Sequence, residues 1–174
     1  MSLPLRLAAV AGFALLIALC AQIAVPMVPV PMTLQTFAVL LAGAVLRGGW
    51  GAASVLLYLA LGALGLPILS EGGFGLDRFT GPTAGYLFAF PLAALIAGAA
   101  GRRPFQSPPA EVALMIGAHL LILGLGAAWL ATSIGLRAAV EVGVTPFLIG
   151  AALKSGAVVL FASVLRRLEP FRRA

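Results

Sequence analysis

Charged residues are too scarce in this chain to cover the surface of a protein in water. Only 9% of its 174 residues are charged and 62% are hydrophobic, whereas a soluble domain has about 25% charged residues. A soluble enzyme is therefore excluded. Because one domain typically takes about 100–200 residues, we predict a single integral membrane domain, residues 1–174, with the lipid bilayer as its surroundings.

Apolar segments separated by glycine, proline and charged residues predict the helices. A spanning helix requires about 20 mostly apolar residues. Six candidates lie at approximately 6–24, 33–46, 50–66, 84–101, 110–133 and 146–165. The second and third are short, and the turn Arg47-Gly48-Gly49 separates them, so loops buried in the protein must complete their passage. The predicted fold is an all-α membrane protein with six transmembrane helices.

The formal net charge of +6 comes from basic residues at the ends of these segments. They form no basic helix face with interleaved aromatic residues, which argues against a nucleic-acid partner. If the N-terminus is cytoplasmic, the arginines on the inside are Arg6, Arg47, Arg102, Arg103, Arg166, Arg167, Arg172 and Arg173. Those on the outside are only Arg78 and Arg137. This asymmetry follows the positive-inside rule, so we predict that both termini are cytoplasmic.

Three connections then lie on the outer side, at about 25–32, 67–83 and 134–145. The first is rich in proline, the second is long and rich in glycine, and the inner connections are short and basic. Binding residues concentrate in loops, so we expect ligands to bind on the outer side.

Lys154 is the most informative single residue. It lies in helix six, about eight residues or ~12 Å past Pro146, on the same face as Phe147 and Ala151. A lysine within a membrane is costly unless it faces a cavity, a partner or an anion. Snorkelling toward the outer headgroups is the alternative, and we favour the functional interpretation.

Other polar candidates lie beside the outer loops. Thr33, Gln35 and Thr36 begin helix two, where they either contact a ligand or cap the helix and bond to its neighbours. Asp77 and Arg78 form either a surface ion pair or part of a lid in which one member faces a ligand. Tyr86 either closes a pocket or belongs to an interfacial aromatic belt.

The sequence shows no arrangement typical of catalysis or metal binding. His119 is the single histidine. It has no acidic residue or second histidine at ligand spacing, so we predict an interhelical hydrogen bond, with a proton relay as the lesser alternative. Because there is no P-loop, Ser-His-Asp set or pair of intramembrane acids, we predict neither enzyme activity nor a cofactor or metal. Any energy source must belong to another subunit.

Helix one carries a stripe of small residues, Ala11, Ala14, Ala18 and Ala21. Small residues at this spacing let helices approach closely in lipid. The stripe either packs within the bundle or docks to a separate membrane subunit, and the residues alone favour packing.

Three sequence blocks resemble one protein family. They are VPMTLQTFAVLLAG at 30–43, LYLALGALGLP at 57–67 and GPTAGYL at 81–87. In order and spacing they closely resemble the BioY family, the biotin-specific substrate-binding (S) components of energy-coupling factor (ECF) transporters. The resemblance extends over nearly the whole chain.

This resemblance implies an ECF S-component-like fold that captures biotin on the outer side of a bacterial cytoplasmic (inner) membrane for uptake. The pocket it implies is bounded by the first two outer loops and the outer halves of helices four to six. Its candidate residues are Thr33, Gln35, Asp77, Arg78, Tyr86, Phe147, Ala151 and Lys154.

The resemblance also implies partners. In that family a transmembrane coupling subunit and two ABC-type ATPases drive transport, while some members are described as working alone or as homo-oligomers. The small-residue motif of the family's first helix docks to the coupling subunit and matches Ala14 and Ala18, which reverses the preference for packing.

One position departs from the family pattern of Pro-Phe, two residues, Gly-Asp, two residues and Lys. Lys154 is kept, but alanine replaces the aspartate at position 151. The ureido N–H groups of biotin then need another acceptor, because an unsatisfied donor costs about 1–3 kcal/mol in a dry pocket. We predict that Asp77 or Gln35 supplies it, with a loop carbonyl as the alternative. Lys154 itself can meet either the valerate carboxylate or the ureido oxygen.

The missing aspartate leaves open an S component for another small vitamin. A thiamine- or riboflavin-like ligand would require more aromatic residues than the outer loops contain. An intramembrane enzyme is less favoured because no nucleophile and base share one side of the membrane. Lys154 and the complex outer loops argue against a purely structural subunit.

Overall fold

The structure, a computed structural model, describes residues 2–100, 102 and 105–168. The α-helices in these residues are α1 (Leu3–Gln22), α2 (Gln35–Leu46), α3 (Gly48–Ala63), α4 (Ala84–Ala97), α5 (Pro108–Ile134), α6 (Leu136–Gly143) and α7 (Phe147–Leu165). Two short strands, β1 (Ala24–Val25) and β2 (Met32–Thr33), pair antiparallel between α1 and α2. Short 3-10 turns at Ser70–Gly72 and Leu76–Phe79 lie in the connection from α3 to α4.

Six of these helices correspond to the six predicted spans, and the all-α fold is confirmed. The helices α1, α5 and α7 are long and apolar enough to cross a membrane. The other three, α2, α3 and α4, are apolar but have only 12, 16 and 14 residues. Such helices are about 18–24 Å long, against about 30 Å of hydrocarbon, so the predicted shortness of helices two and three is confirmed. The number of complete crossings and the side of each terminus stay predictions, and Arg103, Arg172 and Arg173 of the inner set lie outside the described residues.

Three details of the predicted helices were wrong. The third helix ends at Ala63 rather than 66, because Gly65 has φ +107°, a left-handed conformation that ends helices. The fourth ends at Ala97 rather than 101, beside Gly98, since glycine has low helix propensity. The predicted third outer loop contains a helix, α6, which begins after Gly135 turns the chain with φ +83°. The remaining bounds agree to within three residues.

The connections 23–34, 64–83 and 135–146 meet at one end of the bundle, which we call the loop end. Pro31, Ser70, Thr83 and Phe147 line one cavity there. At the centre of the bundle lies α2, which packs against α1, α3, α4 and α7. Because every residue from 38 to 46 of α2 is buried, this helix fixes the positions of the others around it.

Glycine lets α2 approach its neighbours at backbone contact. A Cβ at Gly43 would overlap the carbonyl of Ala94 in α4, and a Cβ at Gly51 in α3 would lie 2.5 Å from the Cα of Gly43. Small residues at interhelical contacts are the usual basis of close packing in membranes, where apolar side chains gain little from leaving lipid. The contacts of α2 with α3 and α4 therefore depend on a residue without a side chain at position 43.

Ala14 and Ala18 pack inside the bundle. They are 4% and 7% exposed, and Ala21 is fully buried, while α1 packs against α2 and α3. Within this chain Ala14, Ala18 and Ala21 serve close packing, whereas Ala11 of the same stripe is exposed. Docking of Ala14 and Ala18 to a separate subunit stays a prediction.

A buried ion pair joins α5 to the end of α7, opposite the loop end. Oε2 of Glu111 lies 2.7 Å from Nη2 of Arg166, and the two side chains are 8% and 12% exposed. When one partner of a buried pair is removed, the remaining charge is left without compensation. The pair therefore holds two long helices in register.

We expect Glu111→Ala to lower the free energy of unfolding by about 3 kcal/mol, seen as a lower midpoint of thermal unfolding in detergent. Glu141→Ala is the matched control. It breaks the Arg137–Glu141 pair, whose side chains are 94% and 63% exposed, and exposed pairs contribute about 0–1 kcal/mol. Equal midpoints for the two variants would contradict the assignment.

Candidate ligand-binding site

A cavity at the loop end combines apolar walls with a few inward-facing polar groups. It is lined by Val30, Pro31, Thr33, Gln35, Thr36, Ser70, Thr83, Tyr86, Leu87, Phe90, His119, Ile122, Leu123, Phe147, Ala151 and Lys154. Six of the eight predicted site residues are among them, and Asp77 and Arg78 are not. This form is typical of small-molecule sites, in which apolar walls supply burial and polar groups supply orientation.

Lys154 points across the cavity to the start of α2. Its Nζ donates to the carbonyl of Thr33 at 3.1 Å and to Oγ1 of Thr36 at 2.8 Å. The snorkelling alternative does not fit this geometry, because the ammonium group is directed into the protein. The sequence placed Lys154, Phe147 and Ala151 on one face of the last helix, and all three line the cavity.

The ammonium of Lys154 has only neutral partners in the cavity. Its two acceptors are a backbone carbonyl and a hydroxyl, and no acidic side chain lines the cavity in the part of the chain that the structure describes. An ammonium group has three N–H donors, so two are used and one remains for a ligand. Ala151, which is 6% exposed, stands at the position of the family's aspartate, so this wall of the cavity has a positive charge and no carboxylate.

Gln35 lies at the first turn of α2 and is 3% exposed. Its Nε2 donates to the hydroxyl of Tyr58 at 2.9 Å, and its backbone N–H donates to Oγ1 of Thr33 at 3.3 Å. Thr33 therefore caps the helix with its side chain, as one predicted alternative held, while its carbonyl accepts from Lys154. Tyr58 was not predicted as a partner of Gln35. The signal in the sequence was its hydroxyl group, which is polar within an otherwise apolar helix.

Tyr86 is buried at the start of α4, with 7% exposure. Its hydroxyl donates to the carbonyl of Gly143 at 2.9 Å, and its ring lies where a Cβ at Gly126 would stand. Tyr86 lines the cavity, which agrees with the first of its two predicted positions, and its contact with a ligand stays a prediction. The bond to Gly143 ties α4 to the end of α6 and so fixes one wall of the cavity.

His119 was predicted to form an interhelical hydrogen bond, and this is confirmed. Its Nδ1 lies 3.1 Å from the carbonyl of Met115 and 3.0 Å from Oγ of Ser155, and its Nε2 lies 3.2 Å from Oγ1 of Thr36. The ring is 2% exposed and also lines the cavity. Its place in the site was not predicted, because it depends on how α5 is rotated against α2 and α7.

Asp77 and Arg78 line a second hollow nearer the surface of the loop end. Its walls are Pro26, Met27, Val28, Pro29, Pro31, Glu71, Asp77, Arg78, Gly81, Pro82 and Thr83. The two hollows share Pro31 and Thr83. The predicted alternative of an Asp77–Arg78 ion pair is wrong, since the pairs among the described residues are Arg137–Glu141 and Arg166–Glu111. The guanidinium of Arg78 instead lies against Gly73.

Gln22, the last residue of α1, forms hydrogen bonds to the α3–α4 connection beside the cavity. Its Nε2 donates to the carbonyls of Ile68 and Leu69 at 3.1 and 3.0 Å, and its Oε1 accepts from the N–H of Gly72 at 3.0 Å. This places Ser70 in the cavity wall. The segment 68–72 thus lies along one side of the cavity, as predicted for a lid. Asp77 and Arg78 of the same loop line the neighbouring hollow instead.

The sequence of this chain has close relatives. Residues 2–171 match the family described as the BioY family. The chain is 40% identical over 157 residues to the probable biotin transporter BioY of Pyrococcus horikoshii, covering 90% of this chain and 93% of that protein. It is 35% identical over 158 residues to the biotin transporter BioY of Thermotoga maritima, with 90% and 93% covered.

The fold also matches a solved structure, described as the crystal structure at 2.1 Å of the S-component for biotin from an ECF-type ABC transporter. The TM-score is 0.86 at 25% identity, and the match covers 97% of this chain and 94% of that chain. The predicted S-component-like fold is confirmed. Because the family match and the relatives both extend over nearly the full length, the chain belongs to the BioY family.

Proposed function

We propose that this protein binds biotin in the loop-end cavity and mediates its uptake across a membrane. The main support is Lys154, the one charged side chain that the described residues contribute to the cavity wall, which neutral oxygens hold inward. Relatives that cover nearly the whole chain are named biotin transporters. Together these observations support a small anionic or strongly polar molecule as the ligand, with biotin as its identity.

The chemistry of biotin suits the cavity. Biotin combines an apolar fused ring, a planar ureido group and a valerate carboxylate. Leu87, Phe90 and Ile122 offer apolar surface for the ring system. The third N–H of Lys154 can donate to a carboxylate oxygen or to the ureido oxygen, and in either case the hydrogen bond is charge-assisted.

Equilibrium binding of biotin to the purified protein, with thiamine and riboflavin as competitors, tests the proposal. We expect saturable biotin binding that neither competitor displaces. Thiamine carries a positive charge, which the ammonium of Lys154 repels in a cavity without acidic residues. Folded protein that binds no biotin, or that releases it to thiamine or riboflavin at equal concentration, would overturn the assignment.

Gln35 is the better candidate for the acceptor that Ala151 cannot supply. Its Nε2 is engaged with Tyr58, while its Oε1 makes no hydrogen bond to any residue the structure describes and the side chain lines the cavity. Asp77 lies in the neighbouring hollow. We propose that the Oε1 of Gln35 accepts a ureido N–H of biotin.

Gln35→Ala is expected to weaken biotin binding about tenfold, the effect of one unsatisfied buried donor. Asp77→Asn should change affinity by less than about twofold, because an exposed charge acts weakly on a cavity it does not line. Tyr58→Phe serves as the control, since it removes the partner of Nε2 and keeps the carbonyl oxygen. If Asp77→Asn weakens binding more than Gln35→Ala, the acceptor is Asp77, and unchanged affinity in both variants excludes both residues.

We also propose the transport setting. The protein acts in a bacterial cytoplasmic membrane as the substrate-capture subunit of an ECF transporter, together with a transmembrane coupling subunit and ABC-type ATPases. The alternative is a homo-oligomer that transports alone. The solved S-component with the same fold supports the first setting. Uptake of labelled biotin by cells that lack biotin transport, with this chain expressed alone or with a coupling module, separates the two.

A further inference from the structure

A continuous set of hydrogen bonds runs behind Lys154 through three helices. Nζ of Lys154 bonds to Oγ1 of Thr36, which bonds to Nε2 of His119. On the other side of the ring, Nδ1 bonds to Oγ of Ser155, and that hydroxyl donates to the carbonyl of Ala151 at 2.8 Å. His119 is therefore the link between the lysine and the interior of the α5–α7 contact.

The acceptors around His119 determine its tautomer. The carbonyl of Met115 can only accept, so Nδ1 must carry the proton. Ser155 leads to the same result, because its hydroxyl hydrogen is donated to Ala151 and its oxygen is left to accept from Nδ1. With the proton on Nδ1, the neutral ring presents a lone pair at Nε2.

This tautomer in turn orients the hydroxyl of Thr36. The single hydrogen of that hydroxyl is donated to Nε2 of His119, and its oxygen accepts from Lys154. The Nδ1–H of His119 is shared between the carbonyl of Met115 and the hydroxyl oxygen of Ser155, and every other hydrogen in the set has one acceptor. A hydroxyl fixed in this way faces the ammonium with its oxygen only.

We propose that His119 is a positioning residue of the substrate site, which holds Lys154 in place through Thr36. This inference rests on the proposed function, since it concerns the site that binds biotin. His119 needs no contact with the ligand for this role. Its neutral Nε2 makes Thr36 an acceptor, so that two N–H groups of Lys154 are held by Thr36 and Thr33 and the third is directed to the ligand.

Two substitutions of His119 separate the roles of its two ring nitrogens. The amide of glutamine reaches the place of Nε2 and can accept from Thr36, whereas the amide of asparagine reaches only the place of Nδ1. We expect His119→Asn to weaken biotin binding about tenfold, as expected for one lost hydrogen bond in a buried network. His119→Gln is expected to stay within about threefold of the unchanged protein.

A double substitution shows whether the effect passes through Thr36. In protein that carries Thr36→Val, which lacks the hydroxyl, His119→Asn should weaken binding no further, because coupled residues are not additive. Additive losses would overturn the proposal, as would His119→Gln binding more weakly than His119→Asn. A merely structural role for His119 would make both variants equally poor.

Substitutions at Thr36 keep the test open if the His119 variants do not fold. Thr36→Ser retains the hydroxyl and should bind biotin like the unchanged protein, while Thr36→Val should bind about tenfold more weakly. Equal affinities of these two variants would overturn the proposal. The unchanged protein separates this result from the proposed function: if it binds no biotin, the function fails, and if it binds biotin but the paired variants do not differ, only the role of His119 fails.

Discussion

We expect Lys154→Ala to weaken biotin binding by more than ~10-fold, because the variant loses the proposed charge-assisted hydrogen bond inside an apolar cavity. Among the described residues no other charged side chain lines that cavity, so none of them can replace the lysine. The protein should still insert and fold, since alanine removes a buried charge without leaving another charge unpaired. Isothermal titration of the purified variant with biotin measures the effect.

Arg137→Ala is the matched control for the loss of one positive charge at the loop end. The side chain of Arg137 is 94% exposed and pairs with Glu141 on the surface of α6. Water and salt screen such an exposed charge, and it does not line the cavity, so biotin affinity should change less than about twofold. An equal loss in the two variants would mean that general surface charge, rather than the amine in the cavity, governs binding.

We expect Gly43→Ala to reduce the yield of folded protein strongly, because the added methyl group has no space between α2 and α4. The new Cβ would overlap the carbonyl of Ala94 and lie 2.9 Å from the Cβ of Ala97. Backbone atoms cannot rotate away, so α2 and α4 must separate, at a cost of about 3 kcal/mol. The midpoint of thermal unfolding in detergent and the folded fraction on size-exclusion chromatography measure the effect.

Gly124→Ala adds the same methyl group where nothing lies within 4 Å. Because alanine favours the helix over glycine by about 0.8–1.0 kcal/mol, this variant should be as stable as the unchanged protein or slightly more stable. If Gly43→Ala unfolds at the same temperature as Gly124→Ala, the close contact between α2 and α4 does not exist in solution.

Most of the fold could be predicted because nearly every helix is a predominantly apolar segment that begins or ends near glycine, proline or arginine. The exception is α6, whose eight residues include Arg137 and Glu141 and which therefore resembled a polar loop. The i, i+4 pair of these two residues, directly after Gly135, was the available signal. Helix periodicity detects long apolar faces and gives little weight to one short amphipathic helix.

The candidate site could be predicted where its residues share one helix and not where they come together from several. Lys154, Ala151 and Phe147 follow from spacing along α7. The place of His119 in the cavity wall and the bond of Tyr58 to Gln35 depend on how α5 and α3 are rotated about their axes. The apolar pattern does not define this rotation when a helix is apolar all round. Asp77 was misplaced because the path of its loop depends on hydrogen bonds to a residue about fifty positions earlier, in the N-terminal helix.

The hydrogen bonds of Gln22 couple the α3–α4 connection to the N-terminal helix. One side chain is joined to three backbone groups of residues 68–72, and it is rigidly continuous with a helix of 20 residues. Ser70, in the middle of this segment, belongs to the cavity wall. The position of that part of the wall therefore depends on the position of the N-terminal helix, so a substitution at Gln22 reaches the cavity although Gln22 does not line it.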